Sequence, residues 1–143
     1  MLKKVKIDIS SNLYELDDLS KRAGEPERES ESAIGTLKYD GNEIRISYKN
    51  FVDGAQISSQ IVALGKEIIV KRSGAIISEM IFNCDEVYKT LYRIPPYAFD
   101  MEIKTESIKN DLSASGGTLE VKYTIDVGGA KKSAEMSITV SEV

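Results

Sequence analysis

Histidine is absent from this 143-residue chain, and cysteine occurs once. The first absence removes Ser-His-Asp and Cys-His nucleophilic machinery, together with the commonest general acid–base group and the commonest metal ligand. The second leaves Cys84 with neither an intrachain partner nor a CxxC spacing, so an oxidised scaffold is excluded. No window approaches the roughly 20 apolar residues of a membrane-spanning helix. The N-terminal MLKKVKIDIS carries charges among its apolar positions and lacks the unbroken run of a signal peptide. The expected compartment is therefore the cytoplasm, in keeping with one unpaired thiol. Concentrated basic charge is missing too. The net charge is −4, and Lys3-Lys4 and Lys131-Lys132 are short pairs at strand positions, so neither nucleic acid nor a membrane is expected as a partner.

What is present is alternation. Val5, Ile7 and Ile9 alternate with Lys4, Lys6 and Asp8, the period-2 mark of a half-buried strand over about residues 3–10. Leu13, Leu16 and Leu19 then recur at a spacing that suits a short helix or turn. The following KRAGEPERESES is charged and contains Gly24 and Pro26, so residues 11–32 are expected to form a mobile loop after the first strand. From Ala33 the alternation resumes, with Leu37 and Tyr39 on one face. Asp40-Gly41 then tolerates a tight turn before Ile44, Ile46 and Tyr48. Turns are read at Asp53-Gly54, Gly65-Lys66 and Ser73-Gly74, with QISSQIVAL, EIIVKR and AIISEMIFN between and after them.

Beyond the polar break Asn83 to Glu86, both parities of VYKTLYR carry sizeable groups. Pro95-Pro96 then forces a corner, because neither residue can donate to a ladder. Phe99, Met101, Ile103 and Thr105 follow on one parity. Leu119, Val121, Tyr123, Ile125 and Val127 alternate strictly with Glu120, Lys122, Thr124 and Asp126, and Gly128-Gly129 turns that strand into Ala134, Met136, Ile138 and Val140. The pattern predicts a single domain over 1–143 of about eight to ten antiparallel strands with at most one short helix. A meander of this kind buries one continuous apolar face by closing into an up-and-down barrel or by folding into a two-sheet sandwich, and closure also removes exposed strand edges.

Three segments carry a family resemblance: Gly35 to Tyr48 (GTLKYDGNEIRISY), Val70 to Phe82 (VKRSGAIISEMIF) and Tyr92 to Thr105 (YRIPPYAFDMEIKT). Together they resemble the YwiB-like family of uncharacterised bacterial proteins. The positions that carry the likeness are Arg72-x-Gly74, then Ser78-x-Met80-x-Phe82, then Pro95, Phe99, Met101 and Thr105. Val5 to Ile9 stand in the place of the family's first strand. The resemblance implies a lipocalin-like, calycin-type β-barrel and no activity. Where the family has Pro-Tyr-Gly, this chain has Pro95-Pro96-Tyr97, so a site depending on that tyrosine or glycine is not carried over.

A barrel of about this strand number is filled by side chains or holds one small ligand. Arg72, Tyr92, Tyr97, Phe99, Met101 and Thr105 are the candidate lining of such a ligand site, with the Arg72 guanidinium suited to a bidentate grip on a carboxylate or phosphate. The plainer alternative makes Arg72 an exposed strand residue beside Lys71 or a partner of Glu79. For Met80, Phe82, Phe99 and Met101 it is ordinary core packing. No catalytic residue, metal ligand or cofactor site is expected: carboxylates lack a defined spacing, SASG lacks a nucleophile elbow, and the glycine pairs precede no helix. Two functions remain open. One is a non-enzymatic barrel binding a small, partly apolar or anionic molecule. The other is a filled barrel acting as an interaction module or homodimer through an exposed strand or the tyrosine-rich corner of Tyr88, Tyr92 and Tyr97.

Overall fold

The computed structural model describes residues 2–19 and 21–143. Ten strands follow one another: β1 (Leu2–Leu16), β2 (Arg22–Asp40), β3 (Glu43–Val52), β4 (Ala55–Leu64), β5 (Glu67–Gly74), β6 (Ser78–Phe82), β7 (Val87–Ile94), β8 (Tyr97–Asn110), β9 (Gly117–Val127) and β10 (Ala130–Glu142). Each pairs antiparallel with its chain neighbour except across β6 and β7, and β1 pairs with β10, which gives the order β6-β5-β4-β3-β2-β1-β10-β9-β8-β7. The two ends of this sheet meet. Ile77 and Arg93 exchange backbone hydrogen bonds of 2.9 Å, and the Asn83 amide donates to Thr105 Oγ1 at 3.1 Å. The result is an all-β, nearly closed up-and-down barrel of the calycin type with its seam at β6/β7 and no helix among the described residues.

Alternation explains which side of each strand faces in. Val5, Ile7 and Ile9 meet Val140, Ile138 and their neighbours across β1/β10, and Leu119, Val121 and Tyr123 complete that side. Ile46, Ile61, Ile68, Val70 and Phe82 fill the other. Side chains of this size are each worth roughly 1.5–3 kcal/mol when fully buried, and they cluster toward the end of the barrel that holds the chain termini. The opposite parity carries Lys4, Lys6, Glu120 and Lys122. Outer-face ion pairs such as Lys71–Glu79 and Lys89–Glu102, both at 4.0 Å, are exposed and contribute little.

The chain departs from expectation at residues 11–32. Neither a helix at Leu13 to Leu19 nor a loop is found. β1 continues to Leu16 and β2 begins at Arg22, and the two form one long hairpin with a register shift between Leu13 and Glu15. Cross-strand partners account for this. Residues Ser11, Leu13 and Glu15 also pair with Met136, Ala134 and Lys132 of β10, so the backbone of β1 is satisfied on both edges. Arg22 bonds Glu135 at 2.8 Å and stacks 4.0 Å from the Tyr14 ring, while Lys132 reaches Glu27 at 3.6 Å. The connection itself is short, with the Asp17 carboxylate accepting from the amides of Leu19 and Lys21.

Two turns also differ in detail. β5 runs through Ser73 to Gly74, so the return falls at Ala75 to Ile77. Pro95 and Pro96, joined by a cis peptide bond, occupy the two-residue turn between paired Ile94 and Tyr97, where no ladder donor is required.

Candidate functional site

The barrel interior is not uniform. At the end opposite the termini it opens into a cavity of about 360 Å³ in which polar Glu29, Glu31, Asn50, Ser59 and Arg72 share the lining with Ile9 and Ile57. Polar groups on the outside of a barrel need no explanation, whereas polar groups aimed at an interior are costly unless something pairs with them. A larger groove of about 1010 Å³ crosses the outside of β2 to β7. Its Thr36, Ser47, Lys49, Ser58 and Gln60 have the parity of a wet face, so the interior cavity is the one that demands a reason.

Register explains how the polar groups arrive there. Reading β2 backward from buried Leu37 by twos gives Gly35, Ala33, Glu31 and Glu29, all facing in; Glu31 lies opposite Ile9 and Glu29 opposite Ser11. On the next strands Asn50 pairs with Ile57, and Ser59 pairs with Arg72, which in turn pairs with Ser78. Tyr92 closes the cavity from β7.

The hydrogen bonds order only part of this set. Glu31 accepts from the Tyr48 hydroxyl through Oε1 at 2.8 Å and from Asn50 Nδ2 through Oε2 at 2.7 Å. Asn50 Oδ1 is buried and has no partner among the described residues. Burial raises the Tyr48 phenol well above its ordinary value and the Glu31 charge raises it further, while Arg72 opposes both, so Tyr48 remains a neutral donor. Tyr123, whose ring packs 4.7 Å from that of Phe82, is pushed up to about 12 mainly by burial, with Arg72 lowering and Glu29 raising it. Arg72 is half-buried, and its guanidinium makes no hydrogen bond or ion pair with any described residue. Glu79 instead meets Lys71 at 4.0 Å and the Tyr88 hydroxyl at 3.3 Å, on the outer side.

Of the six residues singled out by sequence, Arg72 and Tyr92 come together at the cavity. Met101 and Thr105, 2% and 6% exposed, are core, and the Thr105 hydroxyl already accepts the Asn83 amide. Tyr97 and Phe99 are 66% and 42% exposed beyond the rim. The sequence reading missed Glu29, Glu31, Tyr48, Asn50 and Ser59. For the two glutamates a signal was present: E-x-E at Glu29 and Glu31 is in phase with Leu37.

Residues 18–140 match a family model described as "Domain of unknown function (DUF1934)". No curated protein matches the chain. In structure it is similar to the ywiB protein from Bacillus subtilis, known from a crystal structure, with a TM-score of 0.85 and 21% identity over 99% of this chain and 93% of that one. At that identity the likeness establishes the fold alone.

Proposed function

The chain belongs to the DUF1934 family, whose function is unknown, and from that premise we propose that it is a non-enzymatic cytoplasmic barrel that binds a small molecule in the interior cavity through Arg72. The observation that carries this reading is the unpaired Arg72 guanidinium. A half-buried cation without a carboxylate or hydrogen-bond partner is unfavourable, and an anionic group from a ligand would supply a bidentate partner. The volume of about 360 Å³ falls in the range of small-ligand sites, and Ile57 and Ile76 offer apolar surface beside the guanidinium.

Native mass spectrometry of protein purified without denaturation tests the reading. A retained small-molecule adduct on the wild type that is lost from Arg72→Ala supports it. Because Arg72 makes no ion pair or hydrogen bond to lose, its replacement is expected to change stability by no more than about 0.5 kcal/mol. An unfolded Arg72→Ala chain, or an adduct that survives the substitution, would refute it.

One observation favours the second reading, an interaction module. Ile94, Tyr97 and Phe99 at the tip of the β7–β8 hairpin, with Leu91 nearby, are exposed together. In that case the native spectrum shows a bare homodimer that Tyr97→Ser dissociates.

A further inference from the structure

The charge inventory of the cavity goes beyond a simple anion site. One guanidinium, Arg72, shares the cavity with two carboxylates, Glu29 and Glu31, without pairing with either. A plain anion held by Arg72 would sit in a cavity of net charge −1, and a plain cation beside the carboxylates would leave Arg72 unpaired. Each is therefore opposed by part of the site.

The unmet hydrogen-bonding capacity points the same way. Glu31 receives one donor on each oxygen, from Tyr48 at 2.8 Å and Asn50 at 2.7 Å, and a carboxylate has about four acceptor sites, so capacity remains. Asn50 has spent its amide donor on Glu31, which leaves its buried Oδ1 as an acceptor with no donor among the described residues. Glu29, at the rim, makes no hydrogen bond or ion pair with any described residue. The cavity thus offers one unused cationic donor group on β5 and a row of unused acceptors on β2 and β3.

We propose, building on the binding function above, that the cavity selects an amphoteric molecule of the amino-acid or short-peptide class, its carboxylate on Arg72 and its ammonium against Glu29, Glu31 and Asn50 Oδ1. The apolar part of such a ligand lies along Ile57 and Ile76. Satisfying both signs at once leaves neither the guanidinium nor the carboxylates unpaired, and it gives the buried Asn50 carbonyl its donor.

Three probes that share one side chain separate the terms: L-leucine, which carries both charges; N-acetyl-L-leucine, which has lost the cation; and L-leucinamide, which has lost the anion. Binding to the full chain is followed by amide shift changes in NMR spectra. L-leucine is expected to bind at least about tenfold more tightly than either derivative, the effect of one charge-assisted contact. Glu31→Gln and Glu29→Gln should each narrow the preference over N-acetyl-L-leucine, and Arg72→Ala the preference over L-leucinamide, in chains whose spectra remain as dispersed as the wild type's. N-acetyl-L-leucine binding as tightly as L-leucine, in an Arg72-dependent way, overturns the amphoteric proposal while leaving the Arg72 site standing. Failure of all three probes to shift cavity resonances also overturns it, and the Arg72 site then stands or falls on the adduct seen by native mass spectrometry.

Discussion

Gly35 lies on the inward parity of β2, between Val5 on β1 and Tyr48 on β3. A Cβ at this position would overlap the Ser47 carbonyl oxygen and approach Tyr48 Cβ to 2.9 Å and Ile7 Cδ1 to 3.0 Å. Real contacts of this kind are near 3.4 Å or longer, so something must move, and the two nearest atoms are a backbone oxygen and a Cβ that cannot swing aside as a side-chain end can. Shifting Ser47 disturbs the β2–β3 ladder, and shifting Tyr48 weakens its 2.8 Å bond to Glu31. Overpacking costs roughly 1–3 kcal/mol and a lost bond to a charged group roughly 1.5–3, offset by roughly 0.4–1 from the stiffer unfolded chain. Gly35→Ala should therefore destabilise by about 3 kcal/mol, which lowers Tm by about 10 °C in a domain of this size. Gly41→Ala is the control. That glycine has φ +62° and nothing within 4 Å of the place an alanine methyl would take, so only the left-handed backbone cost of about 1 kcal/mol applies. Thermal and urea unfolding of both variants decide the matter. A Gly35→Ala protein that melts no lower than Gly41→Ala would show that β2 and β3 are not as closely opposed as this structure requires, and the placement of Glu31 would fall with it.

Val121 is fully buried opposite Met136, so Val121→Asp should destabilise by several kcal/mol through an unpaired buried charge, about 4 at least, and wild-type-like urea unfolding would mean the faces of β9 are reversed. Stability should also fall in alkali. The Tyr123 phenol lies at about 12 in the fold against 10.0 ordinarily, so the stability it contributes is full below about pH 10 and is lost as pH rises toward 12, where the unfolded chain has released its proton first. Burial and Glu31 shift Tyr48 in the same direction. Unfolding free energies from urea titrations between pH 8 and 11.5 should drop for the wild type by roughly 2 kcal/mol more than for Tyr123→Phe, and parallel curves would place Tyr123 in water.

Much of the architecture was legible in adjacent residues. Strict alternation from Leu119 to Val127 and from Ala134 to Val140 marked β9 and β10, and Ile44, Ile46 and Tyr48 marked β3, because a sheet with one oily face writes a period of two into its sequence. Arg72 was legible too, as a charge on the same parity as Val70. The polar arm of β1 and β2 was not, since a strand whose side chains are mostly solvated has the composition of a loop, and Gly24 and Pro26 strengthened that impression. Nor could sequence choose between Lys71 and Arg72 as the partner of Glu79. The opposite faces of β5 make that choice, with Lys71 outward.

By itself, then, the order of residues determined that this chain would form short-turned antiparallel ribbons with an oily side, since backbone preference and side-chain parity act between near neighbours. Only the tertiary structure decided that β1 would join β10, that the seam would fall at β6/β7, and that Glu29, Glu31, Asn50 and Arg72 would share one cavity. Those outcomes depend on which distant strands close the ring, and on one end of it being left without enough apolar side chains to fill the space.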